Sequence, residues 1–437
     1  MASSRFVWAG AALAACFGGP ALAQGAIVQS PDFILNTLFL ALCAIMVMWM
    51  AAGFTMLETG FVRAKNVAMQ CAKNLGLFAV ASICFFVVGY NLMFPEGTWL
   101  VSGLIGTFGP AEMAGVATEG SPIPNTEAAQ GVAILYQMMF CAATASIVSG
   151  TLAERLRLLP FLVFTAVLTA LIYPIQASWT WGGGILASQL GFLDMAGGTV
   201  VHVTGGMAAL AGAMVIGSRK GRFQDGISMP MPGSNLPLAT LGALILWMGW
   251  FGFTAGSYIG FSSDVDAANV SRILVNTNMA AAGGVIAATL LSYAKFRQVD
   301  LTFMINGALA GLVSITAEPL FPSPLMASLI GGVGGMIVVL AVPLLDKFKI
   351  DDVVGAIPVH LFCGIWGTLA VVLSNPAATI VGQVGGVLIV MSFVFVTSMG
   401  VWLGLTSLMR VRVTDESETT GLDLSELGQE AYPEFAH

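Results

Sequence analysis

Charge is scarce in this chain. Asp, Glu, Lys and Arg make up 9% of 437 residues, against about 25% in an ordinary soluble domain. Sixteen basic residues stand against 23 acidic ones, an excess that reflects acidic loops and an acidic tail and says little about nucleic acid. Only three histidines and six cysteines occur. They form neither the His-Glu-x-x-His pattern of a zinc enzyme nor a Cys/His ligand cluster. Cys43, Cys71, Cys84, Cys141 and Cys363 lie in or beside apolar runs, where small hydrophobes belong, and show no disulfide spacing. The missing ligand patterns argue against an intramembrane metalloenzyme, and no nucleic-acid partner is expected. No metal, cofactor or enzymatic chemistry is expected.

What is abundant is apolar. Hydrophobic residues make up 57% of the chain, and its 52 glycines sit inside apolar runs, as in helix bundles whose backbones approach closely. Only a bilayer accommodates so apolar a surface. The first residues read as a signal peptide, 1–23. Arg5 supplies the positive start, Phe6 to Ala15 an apolar run too short to span, and Ala21-Leu22-Ala23 a cleavage site before Gln24. Leu13-Ala14-Ala15-Cys16 offers a rival lipoprotein cleavage box. Either processing leaves the mature N-terminus outside the cytoplasm.

Eleven apolar runs of transmembrane length follow, at 33–57, 68–94, 128–151, 159–178, 199–217, 237–257, 268–293, 300–317, 326–345, 354–374 and 380–408. With the N-terminus outside, fourteen of the sixteen Lys and Arg fall at cytoplasmic ends: Arg63, Lys65, Lys73, Arg155, Arg157, Arg219, Lys220, Arg222, Lys295, Arg297, Lys347, Lys349, Arg410 and Arg412. The exceptions are Arg5 and Arg272. The outer segment 95–127 carries Glu96, Glu112, Glu119 and Glu127 and no base. This asymmetry satisfies the positive-inside rule. Residues 24–409 are read as the membrane domain and 410–437 as a cytoplasmic tail.

Two segments echo each other. Asp194-Met-Ala-Gly-Gly-Thr-Val-Val-His202 matches Asp352-Val-Val-Gly-Ala-Ile-Pro-Val-His360, each with Asp eight residues before His. Gly53-Phe-Thr in the first span likewise echoes Gly252-Phe-Thr in the sixth. Both echoes link spans five apart, an odd offset. The predicted fold is therefore an all-α membrane protein of eleven helices, two inverted five-helix repeats plus a final helix, with its site at the midplane between the repeats.

His202 and His360 are the leading functional candidates, since imidazoles buried in a membrane are costly. Symmetry brings them together, and a neutral pair offers both a proton donor and an acceptor to a small solute. A purely structural His–His contact is the competing reading. His437, at the terminus, is read as solvated. Phe140 follows Tyr136 by one helical turn, Ser257 follows Phe253 by one turn, and Trp181 precedes a Gly-Gly-Gly run. Aromatic faces attract cations, although each ring taken alone fits lipid or core as well. Asp194 reads as an N-cap of the fifth span, with its charge also favouring a cation outside. Glu58 is expected at the cytoplasmic interface, and Glu154 and Arg155 as loop charges.

GFVRAKN at 60–66, LAERLR at 152–157, WGGGILAS at 181–188, DMAGGTVVHVTGG at 194–206, GWFGFTAGS at 249–257 and VHLFCGIWGT at 359–368 make the chain resemble the ammonium transporter/Rhesus family, bacterial ammonium transporter branch. The resemblance runs from the first span to the tail. It implies a homotrimer in the bacterial inner membrane with one pore per subunit. His202 and His360 would be the paired pore histidines, and Phe140 and Phe253 the stacked gate. Trp181, Phe140 and Ser257 would form the outer cation site, and Asp194 would be the essential aspartate. Ammonium, and by extension methylammonium, would be recruited outside and deprotonated, with ammonia passing the histidines. GLDLSELGQEAY at 421–432 resembles a regulatory tail for a cytoplasmic PII signal protein. Three features depart from the pattern. Thr254 replaces an Asn, the Trp181-to-Asp194 spacing is one residue longer, and Leu427 replaces a His. A membrane ammonium sensor acting through a PII-type partner is the alternative. A sensor with its own output domain would call for more than the segment 410–437.

Overall fold

A computed structural model describes residues 31–113, 115 and 127–435. The signal-peptide segment 1–23 with Arg5 and Cys16, together with Glu119 and His437, lies outside the described residues. Nine helices there are long and apolar enough to cross a membrane. They are α1 (Pro31–Phe61), α2 (Ala64–Met93), α3 (Gln130–Thr151), α4 (Leu158–Ser178), α5 (Gly198–Ile216), α6 (Leu236–Gly256), α7 (Asp264–Phe296), α9 (Pro324–Lys347) and α11 (Ile380–Leu408). Two shorter apolar helices, α8 (Leu301–Thr316) and α10 (Ile357–Leu373), lie between them. Every helix falls within four residues of a hydropathy run. Their starts are capped locally: Asn235, Ser263, Asp300, Ser323 and Thr379 each accept from a first-turn backbone N–H. Asp225-Gly226, both at positive φ, close a two-residue hairpin between α5 and α6, the turn type that favours this dipeptide.

Glycine lets the central helices cross closely. A Cβ on Gly53 of α1 would stand 3.1 Å from Gly242 O of α6, and one on Gly252 of α6 would stand 2.8 Å from Cys43 O of α1. Each glycine thus meets its partner helix ten residues N-terminal to the partner's own Gly-Phe-Thr glycine. The α5–α10 crossing behaves the same way. A Cβ on Gly206 would stand 2.6 Å from Leu361 N, and one on Gly364 would stand 3.3 Å from Val203 N. The 158-residue shift that relates the two histidines also exchanges these two contacts.

Arginines and carboxylates gather at one end of the bundle. Arg63 pairs with Glu154, Arg219 with Asp351 at 2.9 Å, and Arg222 with Asp346 at 2.7 Å. Arg155 Nη2 donates to Asp351 O at 2.6 Å. Glu154 and Arg155 are therefore not loop charges in water: both are fully buried, because the connection from α3 to α4 is roofed by the neighbouring loops. Burial alone would raise the Glu154 carboxyl, but Arg219 and Arg63 reverse this and hold it below the usual range. Burial would raise Asp351 as well, but Arg155 and Arg219 hold it below the usual range. The tail docks on this face. Asp423 accepts from Ala68 N at 3.0 Å and Met69 N at 2.7 Å, capping α2, and Arg157 pairs with Glu426 at 2.9 Å. Arg272 is at the opposite end, where its guanidinium donates to the Leu320, Phe321 and Pro322 carbonyls.

Glu58 also departs from expectation. It is 1% exposed, because α1 runs to Phe61 and packs against the polar face of α2 rather than ending at an interface.

Candidate functional site

Both histidines arise from the same local construction. Asp194 Oδ1 accepts from Gly197 N and Gly198 N, and Oδ2 from Thr199 N and Val200 N, all at 2.7–2.9 Å. This satisfies the otherwise orphaned donors at the start of α5. Gly197 has φ +99° and Gly355 φ +79°, a left-handed conformation that glycine adopts without penalty. A wide π-helical turn then carries each histidine, with His202 N bonded back five residues to Gly197 O at 3.1 Å. Such turns recur where proteins place functional groups. Asp352 repeats the arrangement more loosely, accepting from Gly355 N at 3.2 Å and Ile357 N at 2.7 Å.

The two rings meet with Nδ1 atoms 3.2 Å apart and planes 25° from parallel. His202 lies flat on Trp250, with centroids 5.0 Å apart, and 5.6 Å from Phe253. Trp250 is held by its indole N–H donating to Thr316 Oγ1 at 2.9 Å. The outward nitrogen of His202, Nε2, has no hydrogen-bond partner among the described residues. It is free to meet a small polar solute.

Toward the other end from the arginines, Phe140 stacks on Phe253, with centroids 3.9 Å apart and planes 12° apart. Both are fully buried. Trp181 stands edge-on to Phe140 at 5.9 Å, its Nε1 donating to Asp194 O at 2.7 Å. Tyr136 packs on Phe140, and its hydroxyl lies 2.7 Å from Phe253 O and 3.3 Å from Ser257 Oγ. The structure thus brings Trp181, Phe140, Phe253 and Ser257 together above His202 and His360. Asp194 stays beside them, with its carboxylate engaged by backbone. Thr254 faces away, bonding Thr277 Oγ1 at 2.8 Å.

Below the histidines lies a small cavity whose walls include Phe54, Ser146, Asn306, Val354 and His360. Asn306, Val354 and Gly355 also line a vestibule of about 520 Å³ at the arginine-rich end. A stacked aromatic pair, two imidazoles and a cavity toward the arginine-rich end therefore follow in series. The described residues hold no group of three or more His, Cys, Asp or Glu able to bind a metal.

A model of the Ammonium Transporter Family matches residues 38–432. The chain belongs to the ammonium transporter family. Ammonium transporter Amt2 of Archaeoglobus fulgidus is 37% identical over 437 aligned residues, covering 93% of this chain and 90% of the relative. A putative ammonium transporter of Synechocystis is 37% identical over 427, covering 96% and 95%. Among solved structures, a sensor Amt protein superposes with a TM-score of 0.83 at 36% identity, over 90% of this chain and 98% of its own. Mep2 of Candida albicans does so with 0.79 at 27% identity, over 90% and 89%. The apolar helices and the family together make this a multi-pass membrane protein.

Sequence reasoning gives no role in the site to two residues of this transporter's interior. Trp250 supports His202, and its signal is the one-turn spacing to Phe253 within GWFGFTAGS. Glu58 sits in the half nearer the arginine-rich end, and its signal is a polar stripe across an apolar span, Gln70, Lys73 and Asn74 at helical spacing on α2.

Proposed function

We propose that the chain transports ammonium by recruiting it at Trp181, Phe140 and Ser257, deprotonating it, and passing ammonia between Phe140 and Phe253 and along His202 and His360. The observation that carries this reading is the Nδ1-to-Nδ1 histidine pair, sealed from one end by stacked rings and opening toward a cavity at the other. Indole and phenyl faces attract the cation, and the Ser257 hydroxyl accepts one of its hydrogens. The closed phenylalanines and apolar walls disfavour a bare charge beyond that point, whereas neutral ammonia exchanges hydrogen bonds with the imidazoles. Asp194 acts through the helix start that it anchors and through its fixed negative charge.

Eleven spans, α1 to α11, form two inverted repeats plus α11. The exchanged glycine contacts and the twin Asp–Gly–His constructions support that symmetry. The arginine-rich end is cytoplasmic by the positive-inside rule, which puts the mature N-terminus in the periplasm of a bacterial inner membrane after removal of signal peptide 1–23. Residues 24–409 form the transporter domain, assembled as a homotrimer in lipid. Residues 410–437 form a regulatory tail able to receive a PII signal protein. Likeness to a sensor Amt protein favours one second reading, an ammonium sensor.

The test is reconstitution in liposomes with an ammonium jump, reading charge movement and lumenal pH together. Saturable ammonium-dependent signal that vanishes in His202→Ala/His360→Ala supports the pore. Signal that survives the double substitution overturns it, and silence from well-folded unmodified protein favours the sensor.

A further inference from the structure

Below the histidine pair lies a buried polar cluster that the proposed route does not yet use. Glu58 Oε2 accepts from Gln70 Nε2, from Asn74 Nδ2 at 2.9 Å and from Ser149 Oγ at 2.9 Å. Glu58 Oε1 has no partner among the described residues, and neither has Gln70 Oε1 or Asn74 Oδ1. These three side chains are 1%, 0% and 3% exposed. Buried acceptors are normally satisfied, so the cluster is short of donors. Lys73 does not make up the deficit. Its ammonium group turns to Ser149 O at 2.8 Å and to the Phe161 ring at 4.7 Å. Glu58 also lines the cavity beneath His360, which has room for about one water-sized molecule.

We infer that Glu58, held by Gln70, Asn74 and Ser149, forms a second ammonium site in the cavity beneath His360, at the inner end of the route. Ammonium brings several N–H donors and one positive charge, and Glu58, which lines the cavity, offers a carboxylate with one vacant oxygen. Both the ion and the cavity are water-sized. The vestibule shares Asn306 and Val354 with that cavity, so the site lies between the histidines and the inner solution. The inference rests on the pore reading above and adds where the substrate pauses before release.

Right-side-out and inside-out membrane vesicles carrying the full chain separate the two mouths. Each is given ammonium jumps on a solid-supported membrane, with lumenal pH read in parallel. Glu58→Gln keeps the side-chain size and removes the charge. Half-saturating ammonium from the inner side should rise by about tenfold or more, with the outer-side value unchanged. Removing one member of a buried charge pair destabilises a fold. The charge-balanced Glu58→Gln/Lys73→Met variant is therefore measured beside it and carries the same expectation. A wild-type inner half-saturation in either variant overturns the site and leaves the pore reading standing. No ammonium-dependent signal from the unmodified chain, or one that persists in His202→Ala/His360→Ala, overturns the pore reading and the site with it.

Discussion

His202 and His360 meet through like atoms, so one ring presents a proton and the other a lone pair. Two charged rings in that contact would repel each other within an apolar wall. Asp194 fixes one side of the arrangement through four backbone hydrogen bonds. Replacing it with Ala leaves those amides buried without an acceptor. Asp194→Ala should lower stability by at least about 2 kcal/mol and abolish uptake. Thermal unfolding in detergent and a transport assay on the same sample check both. Gly206 sets how closely the two histidine-bearing backbones approach, since a Cβ there would stand 2.6 Å from Leu361 N. Gly206→Ala should cost about 1–3 kcal/mol by overpacking and reduce transport without touching either imidazole. A variant with normal uptake would mean that the crossing has slack.

At the scale of elements, the decisive features are interruptions rather than helices. The positive-φ glycines and π-helical turns at the starts of α5 and α10 turn two ordinary apolar segments into holders for inward imidazoles. These segments looked like plain spans because hydropathy reports length and not backbone winding. The twin Asp-to-His spacing was legible, and its meaning in three dimensions was not. The tail is a second element with a specific seat. Asp423 caps α2 through Ala68 N and Met69 N, and Leu422 N reaches Asn66 Oδ1 at 3.0 Å. Asp423→Ala should loosen the tail while leaving the bundle intact. Hydrogen exchange should then rise in residues 415–427 and at the start of α2 alone. If a PII protein binds this face, its affinity should change in the same variant.

For the whole molecule, the arginine–carboxylate layer ties loops from four connections and the tail into one cap. Glu154 and Asp351 are held below the ordinary carboxylate range despite burial, by Arg219, Arg63 and Arg155. A carboxyl depressed in the folded state contributes stability above its unfolded value, about 4, and loses it as pH falls through the folded value. The thermal midpoint should therefore decline on acidification below about pH 4 and be insensitive to this layer between about pH 5 and 8. Asp351→Asn should lower the midpoint at neutral pH and flatten the acid limb. An unchanged acid slope would assign acid sensitivity elsewhere.

The sequence by itself determined that the chain crosses a membrane, where its apolar segments begin and end, which end gathers the arginines, and which nine-residue motif recurs. Those properties live in composition and local spacing, and a bilayer reads them directly. Only the tertiary structure decided which polar groups share an interior. Phe140 reaches Phe253 across two helices, Trp250 slides under His202, and Glu58 is enclosed by α2 and α3 instead of facing water. The physical reason is helix rotation. One residue turns a side chain by about 100°, and that angle is set by glycine contacts with distant helices, which no local pattern contains.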